Sequence, residues 1–151
     1  MQVKHLDHLN MGVIDLDQTI DWYRRVFGFR VVERKFSGGV DWAVIRSGEA
    51  MLCLYEHPEF SRYNAQALYR EKRLAIAHFG MRITDAEAWQ RIVERERLEF
   101  YYDSPTHYGH STAWYVLDPN GFGIEVALWA NDTVTFDHDM AGDATRQASH
   151  A

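Results

Sequence analysis

The sequence predicts an α+β fold in which one βαβββ unit is given twice, and three observations carry that prediction. Leu6-Asp-His-Leu-Asn-Met-Gly-Val13 lies over Ile76-Ala-His-Phe-Gly-Met-Arg-Ile83, aligning His8 with His78, Met11 with Met81 and Asp15 with Asp85. Asp41-Trp-Ala-Val-Ile45 likewise falls on Ala113-Trp-Tyr-Val-Leu117, so the later part of each half also matches. Within both halves the apolar period changes in the same order, from alternation to a helical repeat and back to three strand-like runs.

Each element has a local reason. After the first strand Asp15 can cap a helix and Gln18 can return the capping-box bond, while Leu16, Ile20, Tyr23 and Phe27 recur on one helical face before Gly28. Asp85 opens the second helix, where Trp89, Ile92 and Val93 supply the apolar side and no glycine marks the end. Strands are expected over 29–35, 42–46 and 50–55, then over 98–102, 112–117 and 123–129. One domain covers 1–130, with modules of about 4–56 and 74–130 and a charged linker at 57–73. A polar tail follows at 131–151.

Composition narrows the function classes. The chain has 151 residues, 46% of them hydrophobic, which suits one compact core. Its formal charge of −6, without a basic block, argues against a groove for nucleic-acid phosphates. Apolar runs such as 50–55 have strand length and fall far short of the roughly 20 residues of a membrane span. One cysteine, Cys53, allows no internal disulfide, and the first residues read as a strand rather than a signal peptide, so a cytoplasmic protein is expected.

Alternation along the strands puts three polar residues on one kind of face. With Leu9, Met11 and Val13 turned to the helix, His8 and Asn10 lie opposite; with Ala77, Phe79, Met81 and Ile83 turned inward, His78 does the same. In the last strand Ile124, Val126 and Leu128 leave Glu125 on that face too. A carboxylate withdrawn from water needs a cation or strong hydrogen bonds. Two imidazoles and a carboxylate form the ligand set that leaves coordination positions open at Fe(II), and Mn(II), Ni(II) or Zn(II) also suit it. Singly, each histidine reads as an ordinary hydrogen-bonded side chain and Glu125 as a partner for Arg82 or Arg46. Their equivalent positions favour one divalent metal ion per site.

With those residues in place, the chain resembles the vicinal oxygen chelate superfamily of glyoxalases, bleomycin-resistance proteins and extradiol dioxygenases. The carriers are Leu6-Asp-His-Leu9, Asp21-Trp-Tyr-Arg-Arg-Val-Phe-Gly28, Ile76-Ala-His78 and Trp114-Tyr-Val-Leu-Asp-Pro-Asn-Gly-Phe-Gly-Ile-Glu125. The resemblance implies two βαβββ modules whose sheets close around a metal cup, usually in a homodimer, with His8, His78 and Glu125 on the ligand positions. Glyoxalase I commonly has a fourth ligand where this chain has Cys53, which reads either as a soft ligand or as a small buried residue. The fosfomycin enzymes share a tyrosine at the position of Tyr115, but residues 131–139 lack the basic set such a phosphonate requires. Extradiol enzymes carry a histidine ahead of the tyrosine, here His107 or His110.

The favoured expectation is a metal-dependent enzyme that chelates two oxygens of a small substrate, narrowly an Fe(II) extradiol-type dioxygenase of a catechol-like ring. His107 or His110 would assist proton transfer and Tyr115 would polarise a substrate oxygen. Asn10, Cys53, Tyr55 and Trp129 are expected among the substrate-contacting wall, with Trp42 and Trp114. A glyoxalase-like lyase or isomerase, in which Glu125 alternates between ligand and base, is the alternative. A binding protein that only sequesters a small ligand is the further one.

Overall fold

The computed structural model describes residues 3–134 and 136. The first module runs β1 (Leu9–Val13), α1 (Leu16–Phe27), β2 (Arg30–Ser37), β3 (Val40–Ser47) and β4 (Ala50–Glu56). A short helix α2 (Ala65–Arg70) lies in the linker. The second module runs β5 (Phe79–Ile83), α3 (Ala86–Glu96), β6 (Thr106–His107), β7 (Ser111–Leu117) and β8 (Gly123–Trp129). Each module forms a four-stranded sheet, ordered β1-β4-β3-β2 and β5-β8-β7-β6, with only the first pair parallel. This is the duplicated α+β architecture that the internal repeat predicts. Among the described residues no helix is long and apolar enough to cross a membrane.

Both helices start on the expected aspartates. The Gln18 N–H donates to Asp15 Oδ1 at 2.8 Å and the Ala88 N–H to Asp85 Oδ1 at 2.9 Å. Gly28 ends α1 in the left-handed region at φ 68°, and its N–H reaches the Arg24 carbonyl. At the equivalent place in α3, Arg97 adopts φ 51°, a conformation that costs a residue with a Cβ and explains why no glycine signalled this end.

Tyr23 of α1 is fully buried, as are Ile45, Leu54, Ile124 and Val126 on the helix-facing sides of the two sheets. Each such side chain contributes about 1.5–3 kcal/mol relative to exposure. The modules meet where Phe27 of α1 stacks on Trp89 of α3, with centroids 5.8 Å apart and planes 14° from parallel. Arg25 bridges to Glu96 at 2.8 Å beside this contact.

Two departures from the sequence reading concern irregular segments. The strand expected over 98–102 is reduced to a bridge between Phe100 and Val116, flanked by bonds from Leu117 N–H to the Glu99 carbonyl and Tyr101 N–H to the Tyr115 carbonyl. Pairing resumes only at β6, after Asp103-Ser-Pro105; this turn-forming segment breaks the edge strand because proline has no N–H to donate. The linker holds a helix because Asn64 caps it, accepting from the Ala67 N–H at 2.9 Å, and Ala65, Gln66, Ala67 and Leu68 favour helix. Of the tail expected at 131–151, all but residues 131–134 and 136 lie outside the described residues.

A buried polar knot joins the modules. Asp118 is fully buried, and its Oδ1 accepts from the Asn120 and Phe122 N–H groups at 2.9 and 2.8 Å. Its Oδ2 accepts from the Tyr23 hydroxyl of α1 at 3.2 Å and from Asn120 Nδ2 at 3.3 Å. Asn120 in turn donates to Thr19 Oγ1 and accepts from the Ile14 N–H, both in the first module. The linker closes over the same turn: Tyr63 N–H donates to the Asn120 carbonyl, and the Tyr63 ring stacks on Phe122 at 4.6 Å. Gly121, at φ 89°, leaves no room for a Cβ against the Tyr63 carbonyl.

Burial raises the pKa of Asp118 above the ordinary 3.8, against the opposing pull of its hydrogen bonds. Its stabilising contribution is therefore complete below that value and is reduced as pH rises through the higher folded pKa. Asp118→Ala, which strands four donors, is expected to lower stability by about 3 kcal/mol or more. The gap from wild type should be wider at pH 4 than at pH 7. Urea unfolding at the two pH values checks both, and an equal or widening gap at pH 7 contradicts the linkage.

Candidate metal centre

Strand alternation assembles the second-module face. In β8, Ile124 and Val126 are wholly buried towards α3, which leaves Gly123, Glu125, Ala127 and Trp129 on the other side. The β7–β8 register sets Tyr115 opposite Glu125, and the β5–β8 register sets Gly80 opposite it on the other flank. His78 directly precedes β5. Gly123 permits this approach: a Cβ there would stand 2.8 Å from the Ala77 carbonyl oxygen and 3.3 Å from His78 Cβ.

His78 Nε2 lies 3.0 Å from Glu125 Oε2. Neither Arg82 nor Arg46 takes Glu125; Arg82 donates to the Asn131 carbonyl, and Arg46 to the Gly48 carbonyl. Tyr115 stands edge-on to the His78 ring, with centroids 5.3 Å apart at 73°, and its hydroxyl is 3.2 Å from that of Tyr108. Burial, the Tyr108 contact and the Glu125 charge together push the Tyr115 pKa well above the ordinary 10. Its hydroxyl therefore stays protonated at neutral pH and is available as a hydrogen-bond donor.

His8 is elsewhere. It precedes β1 in the other sheet, its Nδ1 is 2.9 Å from Asp7 Oδ2, and it lines the groove between the modules beside Leu9 and Phe79. Among the described residues no three histidine, cysteine, aspartate or glutamate side chains gather closely enough to hold a metal. One chain thus presents His78 and Glu125 as a pair and His8 apart from them.

The other candidate residues divide between the two sheets. Asn10 is in register with Cys53, and Tyr55 stacks on Trp42 at 5.9 Å, so these occupy the face of the first sheet turned away from its helix. Trp129 belongs to the second sheet, where His110 stacks on it at 4.8 Å and 15°. His110 is also parallel to Tyr108 on its other side at 5.6 Å, which makes it the middle of an aromatic stack. His107 is paired with Thr112, and its Nδ1 is 3.1 Å from Thr112 Oγ1. Thr112 shares the helix-ward face with Trp114, which packs against Trp89, so His107 points away from Glu125. The broken edge strand before β6 sets this register.

A cavity of about 270 Å³ adjoins His78, walled by Gln66, Tyr69, Tyr101, Tyr102 and Tyr115 over Ala77 and Gly123. Tyr102, Tyr108 and the α2 residues carry no sequence signal of a site. They reach it through a turn and a linker helix, where spacing is uninformative.

The family comparison follows this geometry. Residues 5–126 match the model of the Glyoxalase/Bleomycin resistance protein/Dioxygenase superfamily. The chain belongs to this superfamily. Structural relatives of the superfamily member include a glyoxylase/bleomycin resistance protein/dioxygenase domain from Frankia sp. EAN1pec, with TM-score 0.71 at 14% identity over 87% of this chain and 96% of that one. The fosfomycin resistance protein FosX of Listeria monocytogenes, in a glutamate-to-glutamine mutant complexed with Mn(II) and 1S,2S-dihydroxypropylphosphonic acid, gives 0.67 at 13% identity over 85% and 95%. A protein from Alicyclobacillus acidocaldarius described by the superfamily name gives 0.62 at 18% identity over 88% and 97%. No curated protein matches the chain.

Burial, and secondarily the Asp7 charge, pushes the Cys53 thiol above its ordinary value. Cys53 is accordingly expected to react with iodoacetamide at pH 8 more slowly than a free thiol, with the rate still climbing above pH 9. Reaction at the rate of free cysteine, followed by mass spectrometry, would contradict this account of its surroundings.

Proposed function

We propose that the chain is a metal-dependent enzyme acting on a small substrate through bidentate oxygen coordination, and that two copies complete each site. The observation that supports it is the His78–Glu125 pair at 3.0 Å, beside a protonated tyrosine and a cavity. A neutral imidazole and a carboxylate suit a divalent ion, and two donors leave positions for a third ligand and for substrate. His8 of a second copy supplies the third ligand in this reading. That accounts for a histidine that equals His78 in the repeat and yet faces another part of its own chain. Asn10, Cys53 and Tyr55 then reach the cup from the partner's first sheet, opposite Trp129.

Bound there, the ion supplies Lewis-acid polarisation and, as Fe(II), access to oxygen chemistry. The protein's own groups do the rest. Tyr115 donates a hydrogen bond to a substrate oxygen as negative charge develops on it. The Tyr108 hydroxyl lies 3.2 Å from that hydroxyl, and the Tyr102 ring packs edge-on against the Tyr115 ring. Ring-opening dioxygenation of a catechol-like substrate is the finer reading, for which the tyrosine walls beside His78 speak. His107 takes no part in it, and His110 acts only if its stack with Tyr108 and Trp129 opens. That constraint keeps the lyase or isomerase reading in view, because Tyr115 and Glu125 suffice for a proton shift at a metal-polarised carbon acid. FosX was captured with a phosphonate, whereas among the described residues no lysine or arginine lines the cavity beside His78. The reading includes a homodimer in a reducing cytoplasm.

Shared ligation has a direct test. His8→Ala and Glu125→Gln are each expected to lose Mn(II) when purified alone, whereas mixing them after mild dissociation should restore about one ion per four chains, from one intact site per mixed dimer. Cys53→Ala should keep its metal. If mixing restores nothing while both variants dimerise, the site is not shared between copies.

Reaction type is separable by oxygen. Protein reconstituted anaerobically with Fe(II) is expected to consume one O2 per catechol and to form a ring-opened product carrying both oxygen atoms. Tyr115→Phe should slow this at least about tenfold while retaining metal. Turnover of an α-ketoaldehyde–thiol adduct by the Ni(II) or Zn(II) form, with no oxygen uptake by the Fe(II) form, would transfer the assignment to the lyase or isomerase class.

A further inference from the structure

We propose that Tyr63 is a positioning residue for the metal centre: its hydroxyl holds the segment ahead of β5 so that His78 stands against Glu125. This deepens the proposed function and rests on its assignment of that pair as ligands.

His78 needs a hold because it falls outside the sheet. Residues 73–78 belong to no helix or strand, and the β5–β8 ladder begins at the next position, with Phe79 opposite Ile124. Backbone beyond the end of a ladder opens at little free-energy cost. Gly123 lets the segment come close but has no side chain with which to hold it. The His78–Glu125 contact is a weak restraint by itself, since its side chains are 40% and 25% exposed and a pair so open to water contributes little.

Tyr63 supplies the restraint from the linker. Its Oη donates to the Ile76 carbonyl at 3.0 Å, just ahead of Ala77 and His78. The rest of the residue is fixed to the turn that leads into β8. Its N–H donates to the Asn120 carbonyl at 2.7 Å, and its ring stacks on Phe122 with centroids 4.6 Å apart and planes 22° from parallel. One residue therefore spans the two arms that carry the paired donors, and it is anchored on the arm that the Asp118 bonds already order.

The consequence falls on metal affinity. Ligands held at their spacing before the ion arrives need not be ordered when it binds, and groups outside the ligand set govern affinity in this way. Arg62 offers the comparison. It ties the same linker to Glu99 and to the Asp118 carbonyl, neither of which belongs to the segment before β5.

Tyr63→Phe keeps the ring and the backbone N–H and removes only the hydroxyl. Titrated with Mn(II) and followed by electron paramagnetic resonance, the full-length variant is expected to bind the ion at least about fivefold more weakly than wild type. In the metal-free variant, nitrogen-15 relaxation should show the order parameter of the His78 amide falling from the rigid range of about 0.85 towards about 0.6. The Val126 amide of β8 should not change. Arg62→Ala should leave both readings as in wild type. An unchanged order parameter at His78 in Tyr63→Phe, unchanged Mn(II) affinity against a wild type that binds the ion, or equal losses in Arg62→Ala would each overturn the proposal. The wild-type titration separates the two claims: a wild type that binds no Mn(II) sinks the proposed function, and the relaxation data then decide by themselves whether Tyr63 holds His78.

Discussion

The constraint on which the rest of the structure depends is the burial of the Asp118 carboxylate. A carboxylate withdrawn from water must be met by donors. Here they come from three sources: the turn that follows it, the Asn120 side chain, and Tyr23 of the other module's helix. The turn bonds hold residues 118–122 in one conformation, and that conformation fixes the register between β7 and β8. The register sets Tyr115 opposite Glu125. The Tyr23 and Asn120 bonds carry the same constraint into the first module, where Thr19 and the Ile14 N–H are held. A turn that reads in the sequence as a mere connector thus positions half of the candidate site and ties the two modules together.

That tie also bears on why His8 and the His78–Glu125 pair stay apart within one chain. The modules meet helix to helix, through Phe27 on Trp89 and Arg25 on Glu96, so their contact lies on the side of the sheets opposite the polar faces. With the helices turned together, the surface bearing Asn10, Cys53 and Tyr55 on the first sheet stays partly exposed among the described residues, while Trp129 on the second is met by His110 and Phe136. Exposed Leu6, Leu74 and Ile76 continue the same picture along the segments that lead into β1 and β5.

Much of this was legible in the sequence because it follows from local periods. The caps at Asp15 and Asp85, the stop at Gly28 and the inward faces of β1, β5 and β8 each depend on residues a few positions apart. Where the sequence misleads, the deciding contact is distant or a backbone state is atypical. Residues 98–102 have strand composition, but a proline-containing turn splits their edge, and the displaced pairing at β6 turns His107 to the wrong face. Arg97 does what a glycine ordinarily does. Asn64 and the helix formers after it were the available signal for α2, which a count of charges in the linker obscured. Whether two equivalent histidines converge is a property of how modules pack, and alternation within a strand carries no information on it.

The distribution of protons around the site decides which side chains can serve it. His110 is sandwiched between Tyr108 and Trp129, with its Nδ1 3.0 Å from Ser111 Oγ, so its ring cannot approach the Glu125 row without unstacking. Tyr115 needs no movement. It is already opposite Glu125, burial keeps its proton on, and Tyr108 shares its hydroxyl from the solvent side. A residue that holds its proton at every physiological pH is a poor general base but a dependable donor to developing negative charge. The Tyr115 hydroxyl, opposite Glu125 and beside the edge-on His78 ring, is thus placed to donate a hydrogen bond, whereas His110 is held in its stack.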